Sequence, residues 1–565
     1  MTLIILYEKT LVLILAMLVL YCLSLAGETF AGITMLLLLL CFVFYLFITS
    51  KSRNFNLITS MYVVLSFAFV VCATQVLLSV DYSTHPFISM LILFVLLPTF
   101  FLLGYRIILS IHCFIDSFLA RDKIFVEEAP ELECSIVITT RNEPFDVCKL
   151  TFDSAYSIDY PAKKLEIVVV DNSDLSHKDF ARWQQYVNQH NMLEGISCKF
   201  IHRNGTEGFK PRNLDIAMEH IRFDYVLFLD ADSTLPENAL KVALPEFKQN
   251  SKLGFVSFLI ESTNYSTNLV AKVASIFQNT IRYFNEFVGK YGYCNYQGHN
   301  GIWSRKALEA TSKWEEYYRS QVMITEDIAA GFRCYEAGFT SKPVFLKTGE
   351  WVPTSLKEFE KMWLRWSFGG MQVMHKYMSN IISSSNLYFR VKLDMLYLLF
   401  KVVASGFPIF ALLLVLFPRS NPAFVSIVNV TLVPLLILSL WYYLYGDIKG
   451  SFLSKISQIY MAMFMLSSFV FWCGIKAEIN YYLNKPQGWK PTSKVFDKVD
   501  GWIRVIYDNI GKLSFSAFGL IVAVYSICKF YPQPNFSMYL LCMLPSILLF
   551  LNTILCVMVL GRAKY

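Results

Sequence analysis

The apolar positions of this chain fall into two kinds of run. Long stretches near 10–26, 31–49, 57–80 and 86–111, and again near 393–417, 422–446, 510–530 and 537–561, carry very little charge. A helix needs about 20 such residues to cross a bilayer, so each stretch predicts a span, and 456–475 is a further candidate. Between the two groups the runs are short and end in polar residues. They are CSIVITTRNEP (134–144), LEIVVVDNSD (165–174) and YVLFLDADS (225–233). Their β-branched and aromatic content predicts strands buried on both faces, and helix-like sequence separates them. That alternation predicts an α/β domain with a mostly parallel sheet.

Three regions follow: an N-terminal membrane region of about four helices (1–115), a polar central domain (122–386), and a C-terminal membrane region (387–565). The first span does not read as a cleaved signal peptide, because three more follow at once without a small-residue cleavage site. Basic residues gather in KSRNFN (51–56), whereas GETFAG (27–32) and DYSTHP (81–86) lack them. By the positive-inside rule, this places the N-terminus and the central domain in the cytoplasm.

Composition sharpens the picture. The chain is 55% hydrophobic and 16% charged, which excludes an ordinary soluble enzyme. The net charge of +7 is scattered and gives no footprint for nucleic acid, but suits flanks beside an anionic lipid bilayer. Thirteen cysteines without a C-x-x-C pair read as small apolar residues in a reducing compartment. Of the sequons at Asn204, Asn264, Asn429 and Asn535, the first two are expected inside, the third within a span and the last close to the bilayer.

In a parallel sheet, ligands bind beyond the carboxyl ends of the strands. All three runs place polar side chains there: Thr140, Asn142 and Glu143; Asp171 and Asp174; Asp230 and Asp232. Two carboxylates one residue apart repel unless a cation satisfies both, and Mg²⁺ or Mn²⁺ does so with phosphate and water completing its shell. The bland alternative is a turn with a helix N-cap. MITEDIAAGFR (323–333) offers Glu326 and Asp327, a proton acceptor or another N-cap. GFKPRN (208–213) carries Lys210, which faces phosphate or solvent. YQGHNGIWSR (296–305), with Gln297, Gly298 and His299, suits the surroundings of a sugar or a tight turn. His299 lacks a second histidine at ligand spacing, which argues against a metal ligand. KMWLRWSFGG (361–370) pairs Arg365 with Trp366, suited to a diphosphate and a sugar ring, or to a membrane-surface helix.

In this order the motifs resemble the membrane-embedded family 2 glycosyltransferases, the cellulose synthase catalytic subunit and related β-polysaccharide synthases, over roughly 130–500. The resemblance implies a GT-A-like catalytic domain set between membrane helices, in a multi-pass protein of the plasma (inner) membrane. It assigns Thr140, Glu143 and Asp171 to uridine, Lys210 and Arg365 to the diphosphate, and Asp230 with Asp232 to metal and ribose. Asp327 becomes the general base with Glu326 beside it, and Trp366 stacks on the acceptor. Gln297, Gly298 and His299 lie in the acceptor-terminus loop. GWKPTSK (488–494) resembles the family's gating loop, with Trp489, Thr492 and Lys494 in its key places, so the C-terminal region is expected to hold interfacial helices and such a loop near 485–500.

The implied reaction is inverting transfer from a nucleotide sugar, UDP-glucose foremost, to a growing β-linked polysaccharide exported through the membrane region. Partners would be the donor, a glycan or lipid-linked acceptor, and accessory export subunits. There are two departures. Met362 stands where the family's Q-x-x-R-W motif has glutamine, which favours the alternative of a single sugar added to a lipid or short acceptor. A cytoplasmic gating loop also requires 456–475 to be interfacial or re-entrant, or 393–446 to cross an odd number of times. A transporter or receptor that merely binds nucleotide is disfavoured, because repeated halves are absent and T-E-D with R-W would serve no purpose.

Overall fold

A computed structural model of the chain describes residues 101, 104–118, 132–191, 195–405, 432–485, 501–530 and 536–561, with Val63, Ser66 and Gln487 besides. The spans expected before residue 100, apart from Val63 and Ser66, and the loop residues Trp489, Thr492 and Lys494 lie outside the described residues. Two compact units are present. One comprises 120–379, 476–501 and 559–565, and the other comprises 1–119, 380–475 and 502–558.

The first unit is built on a seven-stranded sheet. The three expected strands are β1 (Cys134–Thr140), β2 (Leu165–Asp171) and β4 (Tyr225–Asp230). Every residue of β1 and β2 is buried, as expected for central strands covered on both faces. Four more strands complete it: β3 (Ser197–His202), β5 (Leu253–Ser262), β6 (Gly301–Ser304) and β9 (Thr340–Glu350). The order is β3-β2-β1-β4-β6-β5-β9, with β6 antiparallel to both neighbours and the remaining pairings parallel. A two-stranded hairpin, β7 (Tyr317–Tyr318) with β8 (Gln321–Val322), stands apart from it.

The helices that matter for the site are α1 (Phe145–Tyr156), α2 (Phe180–Asn191), α3 (Phe209–His220), α4 (Leu269–Tyr291), α5 (Glu326–Glu336) and α6 (Leu356–Ser383). One core gathers Ile136, Ile138, Val169 and Leu229 from the sheet with Phe152 of α1 and Trp183 of α2. Asn268 caps α4 by accepting from the Ala271 N–H at 2.8 Å. The chain runs from β1 through β2 to β3 on one side, then returns to place β4 on the other side of β1. That reversal opens a crevice between β1 and β4, the expected ligand position in such sheets.

The described residues of the second unit are mainly helical. Among the described residues two helices are long and apolar enough to cross a membrane: Phe452–Tyr482, of 31 residues, and Ile510–Lys529, of 20. The stretch 456–475, expected to be interfacial or re-entrant, forms the middle of the longer one, which passes through a π turn at Met461–Leu466. Ile510, Phe515, Phe518, Ile521 and Tyr525 are exposed along the shorter one, a surface suited to lipid. Tyr460 donates to Asn552 at 2.5 Å and Trp472 to Thr553 at 2.9 Å, polar links of the kind that tie helices together in an apolar medium.

Candidate active site

Strand register brings the polar ends together. Thr140 pairs with Asp171 across β1 and β2, and Thr139 pairs with Asp230 across β1 and β4. Beyond this edge lies a cleft enclosing ≈1140 Å³, open solvent included. Its walls carry Thr140, Glu143, Lys210, Asp230, Asp232, Gln297, Gly298, His299, Glu326, Asp327, Arg365 and Trp366. Residues from Thr139 to Trp366 therefore share one cavity. Met362 lines it as well, and the buried Gln278 amide of α4 lies behind, its Nε2 3.7 Å from the Met362 sulfur.

Charge is concentrated around Lys210. This residue lies in the first turn of α3, after Gly208, whose φ of 67° sets the left-handed entry to the helix. Its Nζ stands 2.5 Å from Asp230 Oδ1 and 3.9 Å from Glu326 Oε1, and it donates to the Gly298 carbonyl at 3.1 Å. Burial alone would lower the Lys210 pKa, but the carboxylates of Asp230 and Glu326 override it and hold it above the ordinary lysine value. Burial pushes Glu326 up to about 7 against the pull of Lys210, and it raises Asp327 as well. Arg365 is lowered by burial even though Glu326 and Asp230 favour its cation.

A second chain of contacts lies behind the aspartates. The Asp230 N–H donates to Ser233 Oγ at 3.1 Å, and that oxygen is 3.4 Å from His299 Nδ1. His299 Nε2 faces Glu350 Oε2 at 3.4 Å, and Arg282 pairs with the same carboxylate. Burial works against the His299 cation, yet Glu350 and Asp230 raise its pKa. Neither Glu350 nor Arg282 figures among the sequence candidates. Glu350 ends β9 as Asp230 ends β4, so the strand-end rule points to it once β9 is recognised.

Asp171, expected to hold uridine, is engaged within the protein in this structure. Its side chain is 1% exposed and is not on the cleft wall. Thr140 Oγ1 donates to it at 2.6 Å, Ser173 N and Oγ at 2.9 and 2.8 Å, and His202 Nδ1 lies at 3.2 Å. Its neighbour Asn172 lines the cleft instead, held by Asn213 Nδ2 at 2.9 Å.

The donor chemistry suits a divalent cation. Asp230, Asp232, Glu326, Asp327 and Glu350 share the cleft with Lys210 and Arg365, and burial raises the Glu326 and Asp327 carboxyls. Among the described residues no three His, Cys, Asp or Glu side chains converge into a ready-made cage. Mg²⁺ and Mn²⁺ ask for none, since one or two carboxylates with phosphate and water suffice. Asp230 and Asp232, the pair the sequence offers for such an ion, both line the cleft.

The site is thus a strand-end cleft of a mostly parallel α/β domain, with carboxylates, a lysine and an arginine on its walls. Residues 130–369 match the family described as "Glycosyltransferase like family 2". A relative described as probable glucomannan 4-beta-mannosyltransferase 6, from Oryza sativa subsp. japonica, is 25% identical over 282 residues. The match covers 47% of this chain and 46% of that one, so the chain spans about half the length of this curated relative. Among solved structures, mannosyltransferase PcManGT from Pyrobaculum calidifontis, in complex with GDP-Man and Mn²⁺, aligns with a TM-score of 0.44 and 14% identity, covering 69% of this chain and 99% of that one. S. aureus TarS 1–349 aligns at 0.33 and 13%, covering 66% and 95%. Scores this low add nothing to the fold read from the strand order.

Proposed function

We propose that the chain is a multi-pass membrane glycosyltransferase that transfers a sugar, with inversion, from a nucleotide sugar to a glycan hydroxyl. The observation that carries this is the convergence of Asp327 with Lys210, Asp230, Asp232, Arg365 and Trp366 on one cleft. Asp327, whose carboxyl is raised toward the range useful for proton transfer, takes the proton from the attacking hydroxyl. Lys210 and Arg365 receive the diphosphate, and Trp366 positions the acceptor ring. A divalent cation held by Asp230 and Asp232 would supply charge neutralisation at the leaving group. No side chain needs to become covalently attached.

The product of this reading is a β-linked polysaccharide that leaves through the chain's own membrane helices, with the domain on the cytoplasmic side. UDP-glucose is the foremost donor, and the rice relative's description adds a mannose donor to the candidates. The apolar Met362 on the cleft wall favours a second reading, transfer of one sugar to a lipid or short acceptor. The test is purified protein in lipid, with Mg²⁺ or Mn²⁺ and radiolabelled UDP-glucose, GDP-mannose and UDP-N-acetylglucosamine, followed by sizing of the product. Polymer supports the first reading and a single addition the second. Undiminished incorporation by a D230A/D232A variant in chelator would defeat both.

A further inference from the structure

We propose that Glu286, an acid buried behind the cleft, is a positioning residue that fixes the Gln297 amide with its carbonyl oxygen turned to the cleft, where it accepts a hydrogen bond from a hydroxyl of the sugar acceptor. This deepens the proposed function and rests on it. Glu286 lies on α4 and is 1% exposed. Its Oε1 accepts from Gln297 Nε2 at 2.8 Å and from Ser257 Oγ at 3.0 Å, and Cys294 Sγ lies 3.5 Å from Oε2. With Nε2 committed inward, the Gln297 oxygen is the polar atom this half-buried, cleft-lining side chain has left to offer.

The position suits an acceptor rather than a nucleotide. The next residue, Gly298, has φ 87°, and a Cβ added there would stand 3.2 Å from Asp327 Oδ2. Gln297 is thus next in the chain to a glycine whose missing Cβ leaves room beside the proposed base. A hydroxyl deprotonated at Asp327 belongs to a sugar whose other hydroxyls fall within reach of a neighbouring acceptor oxygen.

Loop closure does not depend on Glu286. Asn300, fully buried, pins the far end by donating to the Phe228 carbonyl at 2.8 Å, Thr348 Oγ1 at 3.0 Å and the Gly349 carbonyl at 3.1 Å. Burial pushes Glu286 up to about 8, so at neutral pH it is mostly an uncharged acid. It therefore offers Gln297 an acceptor oxygen without adding charge to a cleft already crowded with carboxylates.

The test measures acceptor KM and kcat with a defined oligosaccharide and saturating donor, using full-length protein in lipid. Q297A and E286L should each raise acceptor KM by roughly tenfold, the worth of one hydrogen bond, with kcat falling less than about twofold. E286Q keeps an acceptor oxygen and should hold acceptor KM within about twofold of wild type. E286L/Q297A should be no worse than Q297A alone, because both act on one contact. E286D withdraws the oxygen by one methylene and serves where E286L does not fold, with the same rise expected. An unchanged KM in E286D or E286L, or additive losses in the double variant, overturns the assignment of Glu286. Wild-type protein that transfers no sugar from any donor overturns the reading of the cleft itself.

Discussion

The two ends of the cleft are built by opposite rules. At the β1–β2 end the polar side chains close upon one another. Asp171 takes three hydrogen bonds and faces His202, while Asn172 is bonded to Asn213 and Asn213 to Arg203. At the β4–α5 end, Asp230, Asp232, Glu326, Asp327 and Glu350 crowd around few cations, and burial drives the Glu326 and Asp327 pKa values upward. A closed network stiffens a wall and fixes its shape, whereas crowded buried charge is costly until a ligand relieves it. On the function proposed above, the first end would recognise by shape and the second would do the chemistry.

The largest expected effect falls at the charged end. Asp327→Asn keeps the size of the side chain but cannot take a proton, and transfer should fall by roughly 10²–10⁴-fold. Nucleotide binding should persist, since Lys210 and Arg365 are untouched. Radiolabel transfer set beside nucleotide binding on the same preparation checks this. Turnover within a few-fold of wild type would remove Asp327 as the base.

At the closed end the expected effect is smaller and of another kind. Asn at position 171 replaces an acceptor-only carboxylate with a group that must turn an NH₂ toward the Thr140 hydroxyl or toward the Ser173 N–H. Unsatisfied buried groups cost about 1–3 kcal/mol. D171N should therefore lower the thermal midpoint by several degrees while changing the donor KM by less than about threefold. A large rise in donor KM without loss of stability would instead support the direct contact with uridine that the family resemblance implies.

This contrast also explains what was legible beforehand. β1, β2 and β4 announce themselves because central strands are apolar throughout, and their polar ends mark the cleft. β3 is an edge strand with one neighbour and a mixed composition, SCKFIH, so its periodicity carries little signal. Residues of the charged end are legible as candidates in the sequence, since D-x-D, T-E-D and R-W are dense local motifs. Glu350, Arg282 and Glu286 were not, because each acts across more than ten residues on a partner that only the fold brings near. Asp171 shows the converse. A carboxylate at a strand end looks the same in sequence whether its oxygens face a ligand or the hydroxyls beside it.

The smallest effect tests the boundary between charged and neutral groups behind the cleft. The Glu286 carboxyl has its pKa pushed from an ordinary 4.5 up to about 8, chiefly by burial. Between those values the folded protein holds a proton that the unfolded chain has released, so stability falls as pH rises through this window, with the full loss reached above about pH 8. Below about pH 4.5 both states are protonated and the penalty vanishes. The facing groups do not complicate the sign, since Ser257 and Gln297 do not titrate and burial keeps the Cys294 thiol neutral. Gln at 286 has no proton to lose. The stability difference between E286Q and wild type should therefore shift in favour of the variant by up to about 1.4 kcal/mol from pH 6 to pH 7. Thermal unfolding of both proteins across pH 5–8 reads this directly. A difference that stays flat with pH would mean that the Glu286 carboxyl is already ionised in the folded protein.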